Sequence, residues 1–82
     1  MEITFKLYAS LMDYLPPGAR RHQIVLNVPN DTSPLALLER QGVPLPEVHL
    51  MMINGVFVPP SQRSQPLHDG DTLAVWPAVA GG

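Results

Sequence analysis

Apolar and polar residues alternate from the start of the chain, where Ile3, Phe5 and Leu7 are interleaved with Thr4, Lys6 and Tyr8. A period of two is the mark of a strand with one buried face. Ile24, Leu26 and Val28 repeat the pattern against Val25 and Asn27, which predicts a second strand. Between the two, Ala9 to Leu15 suit a short helical stretch, broken by Pro16-Pro17-Gly18. Ser33-Pro34 then opens a helix: serine suits the N-cap, and proline suits the first helical position, where its missing N–H has no partner to lose. Leu35 and Leu38, with Leu37, supply its apolar stripe, while Glu39, Arg40 and Gln41 face water. Gly42 ends it, and Pro44 and Pro46 bar its continuation. Val48 to Ile53 predicts a third strand, Asn54-Gly55 a tight hairpin turn, and Val56-Phe57-Val58 a fourth strand. Pro59-Pro60 and the polar stretch Ser61 to Gln65 read as a surface loop, Asp69-Gly70-Asp71 as a turn, and Thr72 to Trp76 as the last strand.

A hairpin, one crossing helix and then three more strands describe an α+β domain of the β-grasp (ubiquitin-like) class. Its mixed sheet has about five strands, with one main helix packed across it. The first and last strands are expected side by side and parallel at the centre of the sheet, in keeping with their apolar inward faces. The 82 residues suffice for one domain with one core. We place the domain at residues 1–76 and a flexible C-terminal tail at 77–82.

Composition narrows the function. Hydrophobic residues make up 45% of the chain, enough to drive folding despite ten prolines. The net charge is −2 with only five basic residues, and the one basic cluster is Arg20-Arg21 on a turn. That is too little for the cationic face a nucleic-acid binder needs. The absence of cysteine excludes disulfides, thiolate metal sites and cysteine nucleophiles. No run approaches the roughly 20 apolar residues that span a bilayer, so no membrane role is expected. The opening Met1-Glu2-Ile3-Thr4 is acidic and alternating, unlike a signal peptide, and a cytoplasmic location is expected. His22, His49 and His68 are widely spaced, with no zinc-ligand pattern, and no metal site is expected. Asp69 and Asp71 flank a glycine and suit a capped turn better than a calcium or catalytic pair. Met51-Met52 reads as ordinary strand packing.

Chemistry concentrates at the end of the chain. After the last strand comes Pro77-Ala78-Val79-Ala80-Gly81-Gly82, six residues without charge. Fully extended, such a tail reaches about 20 Å. A narrow channel can admit a glycine backbone and bring a partner's reactive group onto the terminal carboxylate. Such a tail suits a carrier whose own carboxylate is activated elsewhere.

The stretch from Leu67 through Asp69-Gly70-Asp71 and Thr72–Trp76 to Pro77 and Gly81-Gly82 resembles the C-terminus of the MoaD/ThiS family of ubiquitin-like sulfur carriers. Asn54-Gly55, and the opening apolar strand followed by Ala9, also match. The tail from Trp76 to Gly82 is closest to that of the molybdopterin synthase small subunit. Tyr14-Leu15-Pro16-Pro17 and the segment Gly42 to Val48 are instead similar to the ubiquitin-like domain beside certain Mut7-C-type RNase domains. Those domains generally lack the final glycine pair.

The sulfur-carrier resemblance implies a non-enzymatic carrier that acts with partner enzymes, or counts as the small subunit of a sulfurtransferase. A partner adenylyltransferase, related to ubiquitin-activating enzymes and using ATP and magnesium, adenylates the Gly82 carboxylate. Sulfur from a persulfide then gives a thiocarboxylate. A larger catalytic subunit receives the tail, with Gly81 in the narrow channel and Pro77, Val79 and Ala80 against the partner, and sulfur passes to a pterin precursor of the molybdenum or tungsten cofactor. The carrier itself binds no cofactor. Thiamin, tRNA thiolation or a secondary metabolite are alternative destinations for the sulfur. A ubiquitin-like binding module or protein modifier that carries no sulfur is the alternative of another class.

Strand parity adds a surface. With Ile3, Phe5 and Leu7 inward, Tyr8 points outward; Leu73 and Val75 inward put Trp76 outward, and Val56 and Val58 inward put Phe57 outward. Three of the five aromatic residues then share the open face near the tail, as a partner-binding patch.

Overall fold

The computed structural model describes residues 1–78. Five strands form one mixed sheet in the order β2-β1-β5-β3-β4. They are β1 (Glu2–Leu7), β2 (Gln23–Asn27), β3 (Leu50–Ile53), β4 (Val56–Phe57) and β5 (Thr72–Trp76), and one helix, α1 (Pro34–Arg40), crosses the sheet. β1 and β5 pair in parallel, Phe5 opposite Leu73 and Leu7 opposite Val75. The other pairings, β1 with β2 and β3 with both β4 and β5, are antiparallel. The fold is the ubiquitin-like β-grasp.

One face of this sheet is the core. Ile3, Phe5, Leu7, Met51, Leu73 and Val75 are buried there under Leu37 and Leu38 of α1, with Leu11, Val43 and Leu67 closing the edges. The helix starts where the chemistry of its first turn requires: the Ser33 hydroxyl accepts the Ala36 N–H at 3.1 Å, and Pro34 occupies the first helical position. Gly42, at φ +74°, closes the C-terminus by donating to the Glu39 carbonyl. The inward line of α1 runs through Pro34, Leu37 and Leu38, the i, i+3, i+4 face. Leu35 lies off that line and is only half buried, so of the stripe expected from the sequence Leu37 and Leu38 stand and Pro34 takes the place of Leu35.

Three further expectations need correction. β3 begins at Leu50 rather than Val48, because Leu45–Glu47 form a 3₁₀ turn that Val48 closes by donating to the Leu45 carbonyl. Val56 has inward parity but is 68% exposed, since β4 is the sheet edge and no element covers its end of the strand. Arg63, assigned to a polar surface loop, is only 7% exposed. A 3₁₀ turn at Pro60–Gln62 leads into it and turns the chain back to the open end of the β3–β4 hairpin. There its Nε donates to the Val58 carbonyl and its Nη2 to the His49 carbonyl, both at 3.2 Å.

The stretch after β1 is a 3₁₀ helix, Ala9–Tyr14. Tyr14 donates its hydroxyl to the Glu47 carboxylate at 2.8 Å, tying this turn to Leu45–Glu47. That hydrogen bond, with partial desolvation and the nearby carboxylate charges, holds the Tyr14 phenol above its ordinary pKa. Among the described residues no helix is long and apolar enough to cross a membrane.

Candidate partner-binding face and chain exit

The two ends of the sheet have different chemistry. At one end, where β1 and β5 begin, polar side chains fasten loops. Asn54 and Gly55 make the two-residue turn between β3 and β4, with φ of +51° and +80°. Both signs are those of a hairpin turn matched to strand twist. The Asn54 amide bridges onward, its Oδ1 accepting the Thr72 N–H and its Nδ2 donating to Asp71 Oδ1, each at 2.9 Å. Asp71 Oδ2 also accepts the His68 N–H at 2.8 Å, and Asp69 Oδ1 accepts the Glu2 N–H at 2.7 Å. Asp69 and Asp71 thus cap their own turn and lock it to the first strand. Among the described residues no three His, Asp or Glu side chains gather as a metal site.

The other end carries the chain exit. β5 finishes at Trp76, whose carbonyl accepts the His49 N–H at 2.9 Å. Pro77 follows and has no N–H, so it cannot extend the ladder. Trp76 lies on the open face and stacks on Tyr8, with ring centroids 4.4 Å apart and planes 2° from parallel. Tyr8 stacks in turn on His22, at 4.7 Å and 26°. Strand order explains the row: Tyr8 follows β1, Trp76 ends β5, His22 precedes β2, and β1 lies between β2 and β5. Beside Trp76 an apolar groove of about 430 Å³ is lined by Ala9, Ser10, His49, Leu50, Pro77 and Ala78. Ala9 shapes its wall with a left-handed backbone, φ +52°, a conformation costly for a residue with a Cβ.

Phe57 shares the open face and is 53% exposed, but it stacks on none of the three rings. β4 is two strands from β5, a separation of roughly 10 Å. Met52 and Leu50 fill the interval: Met52 lies opposite both Phe57 and Ala74, and Leu50 lies opposite Trp76. The patch is therefore a diagonal band, Phe57–Met52–Leu50–Trp76–Tyr8, ending on His22. Leu50, Met52 and His22 thus join the three aromatic residues expected from strand parity. Parity counted from the Asn54-Gly55 turn would have put Met52 and Leu50 on the Phe57 face. Pro77 is half buried and Ala78 exposed. Val79, Ala80, Gly81 and Gly82 of the candidate site lie outside the described residues.

Residues 1–81 match the family described as Mut7-C ubiquitin. The chain belongs to that family. As a Mut7-C ubiquitin domain it shares its fold with proteins of low sequence identity. One is SAMP1 from Haloferax volcanii, at 20% identity and TM-score 0.67 over 100% of both chains. Small archaeal modifier protein 1 of H. volcanii matches at 18% identity and TM-score 0.68, over 95% of this chain and 98% of that one. A chain from the complex of subunits 1 and 2 of molybdopterin-converting factor from Helicobacter pylori 26695 matches at 18% identity and TM-score 0.62, over 100% of both. No curated protein matches in sequence.

Because Phe57 is exposed and has no partner in the core cluster, its side chain is free to act at an interface. Phe57→Ala is expected to weaken binding of any protein that docks on the open face by about 1–3 kcal/mol, while the melting curve stays close to wild type. Calorimetric titration beside a thermal melt checks both halves. Wild-type affinity would remove Phe57 from the interface.

Proposed function

We propose that this domain is a sulfur carrier whose Gly82 carboxylate is adenylated and converted to a thiocarboxylate, which donates sulfur to molybdopterin synthesis. The observation that carries the proposal is the placement of the chain exit. The central strand β5 delivers Pro77 and Ala78 beside an apolar groove and a stacked aromatic face, and the sequence continues from there, uncharged, to Gly81-Gly82. A partner seated on the band Phe57–Tyr8 receives the tail in the same encounter.

The chemistry needs activation, because a carboxylate is a poor electrophile and an acyl-adenylate has a good leaving group. In the partner's site, with ATP and magnesium, a Gly82 oxygen attacks the α-phosphate and pyrophosphate leaves. The terminal sulfur of a persulfide attacks the acyl carbon and AMP leaves. A thiol of the activating system then reduces the acyl disulfide and releases the thiocarboxylate. A larger catalytic subunit accepts the loaded tail. This chain supplies the carboxylate and the docking surface, and its partners supply the catalytic groups.

Family membership favours a second reading, a ubiquitin-like binding module that uses the open face and carries no sulfur. Intact mass of the protein isolated from its native host separates the two. The carrier is expected partly as a species heavier by the difference between sulfur and oxygen, abolished by alkylation of the thiocarboxylate. An unmodified terminus under conditions of active cofactor synthesis would leave the binding module.

A further inference from the structure

Arg63 is the one buried guanidinium among the described residues, and its setting is unusual for a charge. Among the described residues no carboxylate comes within ion-pair distance of it; the one His/acid contact there is His68–Asp71. A guanidinium cannot shed its charge to ease burial, and its desolvation has to be offset by the bonds it makes. Arg63 spends them on the open end of the β3–β4 hairpin, donating to Val58 from one arm and to His49 from the other. Its own carbonyl accepts the Leu35 N–H at 3.1 Å, so the residue is anchored to the first turn of α1 as well.

His49 is the residue on which this matters. It stands between the 3₁₀ turn Leu45–Glu47 and β3 and belongs to neither. Its N–H makes the bond to the Trp76 carbonyl, the last ladder bond before Pro77. Its carbonyl is the group that Arg63 holds. One residue is thus pinned on both sides, by the helix-anchored arginine and by the strand that becomes the tail. Without the arginine, His49 is an uncapped strand end, and such ends fray.

We infer that Arg63 is the positioning residue for the tail: by fixing His49 it fixes where and in which direction the chain leaves β5. The inference deepens the sulfur-carrier proposal and its activity arm rests on it, but the backbone arm stands without it. Lysine at this position keeps the charge and has a single ammonium, which cannot serve two separated carbonyls as a planar fork does. Methionine keeps much of the apolar stem and donates nothing.

The experiment compares wild type with Arg63→Lys and Arg63→Met by NMR amide exchange on the isolated domain. Loss of the anchor is expected to speed exchange at His49 roughly tenfold beyond any change at Leu73 and Phe5, which report global opening. The Ala78 amide, the first N–H after Pro77, is expected to shift in both variants. In adenylation assays with the cognate activating enzyme, kcat is expected to fall about a hundredfold, with a smaller rise in KM because His49 also lines the groove beside Trp76. If His49 exchange rises only in step with Leu73 and Phe5, and Ala78 does not shift, Arg63 fastens its loop and does not position the tail. If the wild-type tail is never adenylated, the sulfur-carrier proposal fails and the exchange data alone decide the role of Arg63.

Discussion

Phe5→Ala is expected to cost about 3–5 kcal/mol of stability, enough to leave much of the chain unfolded in mild urea. Phe5 is fully buried on β1, with Ile24 opposite on one side and Leu73 on the other. Its ring is fully buried in the core cluster that includes Leu37 and Leu38 of α1, so truncation leaves a cavity there. The cost is large against the whole: at about 0.05–0.15 kcal/mol per residue, 82 residues give a net stability of roughly 4–12 kcal/mol. Val56→Ala is the control, since it has the same inward parity but 68% exposure at the sheet edge. It is expected to change stability by less than about 0.5 kcal/mol. Urea denaturation of both variants checks the pair. A Phe5 loss below about 1 kcal/mol would mean the core is not packed around that ring.

The contrast between Phe5 and Val56 also shows what the sequence can and cannot disclose. Parity along a strand is legible, because burial on one side forces a period of two, and so the sequence alone assigns Tyr8, Phe57 and Trp76 to the open face. Caps are legible for the same kind of reason: Ser33-Pro34, Gly42 and Asn54-Gly55 are residue types that few other backbone conformations demand. Whether an inward position is covered depends on which strand is the edge, and Val56 was misplaced for that reason. The stack of His22 on Tyr8 on Trp76 needs the strand order β2-β1-β5, which joins residues distant in sequence. Arg63 leaves the faintest mark in the sequence. A charged residue among Ser61, Gln62, Ser64 and Gln65 has no apolar periodicity to mark it as buried, and its partners are backbone carbonyls, which carry no sequence signature. The glycine pair lies outside the described residues, and its reading rests on the uncharged tail and the resemblance alone.

Deleting Gly82 is expected to abolish sulfur transfer while leaving the melting temperature unchanged. The sheet pairings of β5 end at Trp76, and the hydrophobic core cluster is assembled from residues up to Val75. A glycine at the end of the chain adds no side chain to bury, so its loss costs the fold almost nothing. The reaction responds differently. Removal of one extended residue withdraws the carboxylate by about 3.5 Å from the point at which the partner activates it. A misplacement of about 1 Å already costs on the order of a hundredfold in a positioned reaction, so the loss is expected to exceed the range of the assay. Extension by one residue after Gly82 tests the same geometry in the other direction, because the new carboxylate overshoots by a similar distance. The two variants together separate a requirement for position from a requirement for glycine as such. The measurement is adenylate formation and thiolation with the cognate activating enzyme, beside thermal melts of each protein. If the truncated chain is adenylated and thiolated at the wild-type rate, Gly82 is not the reactive end, and the domain acts through its open face alone.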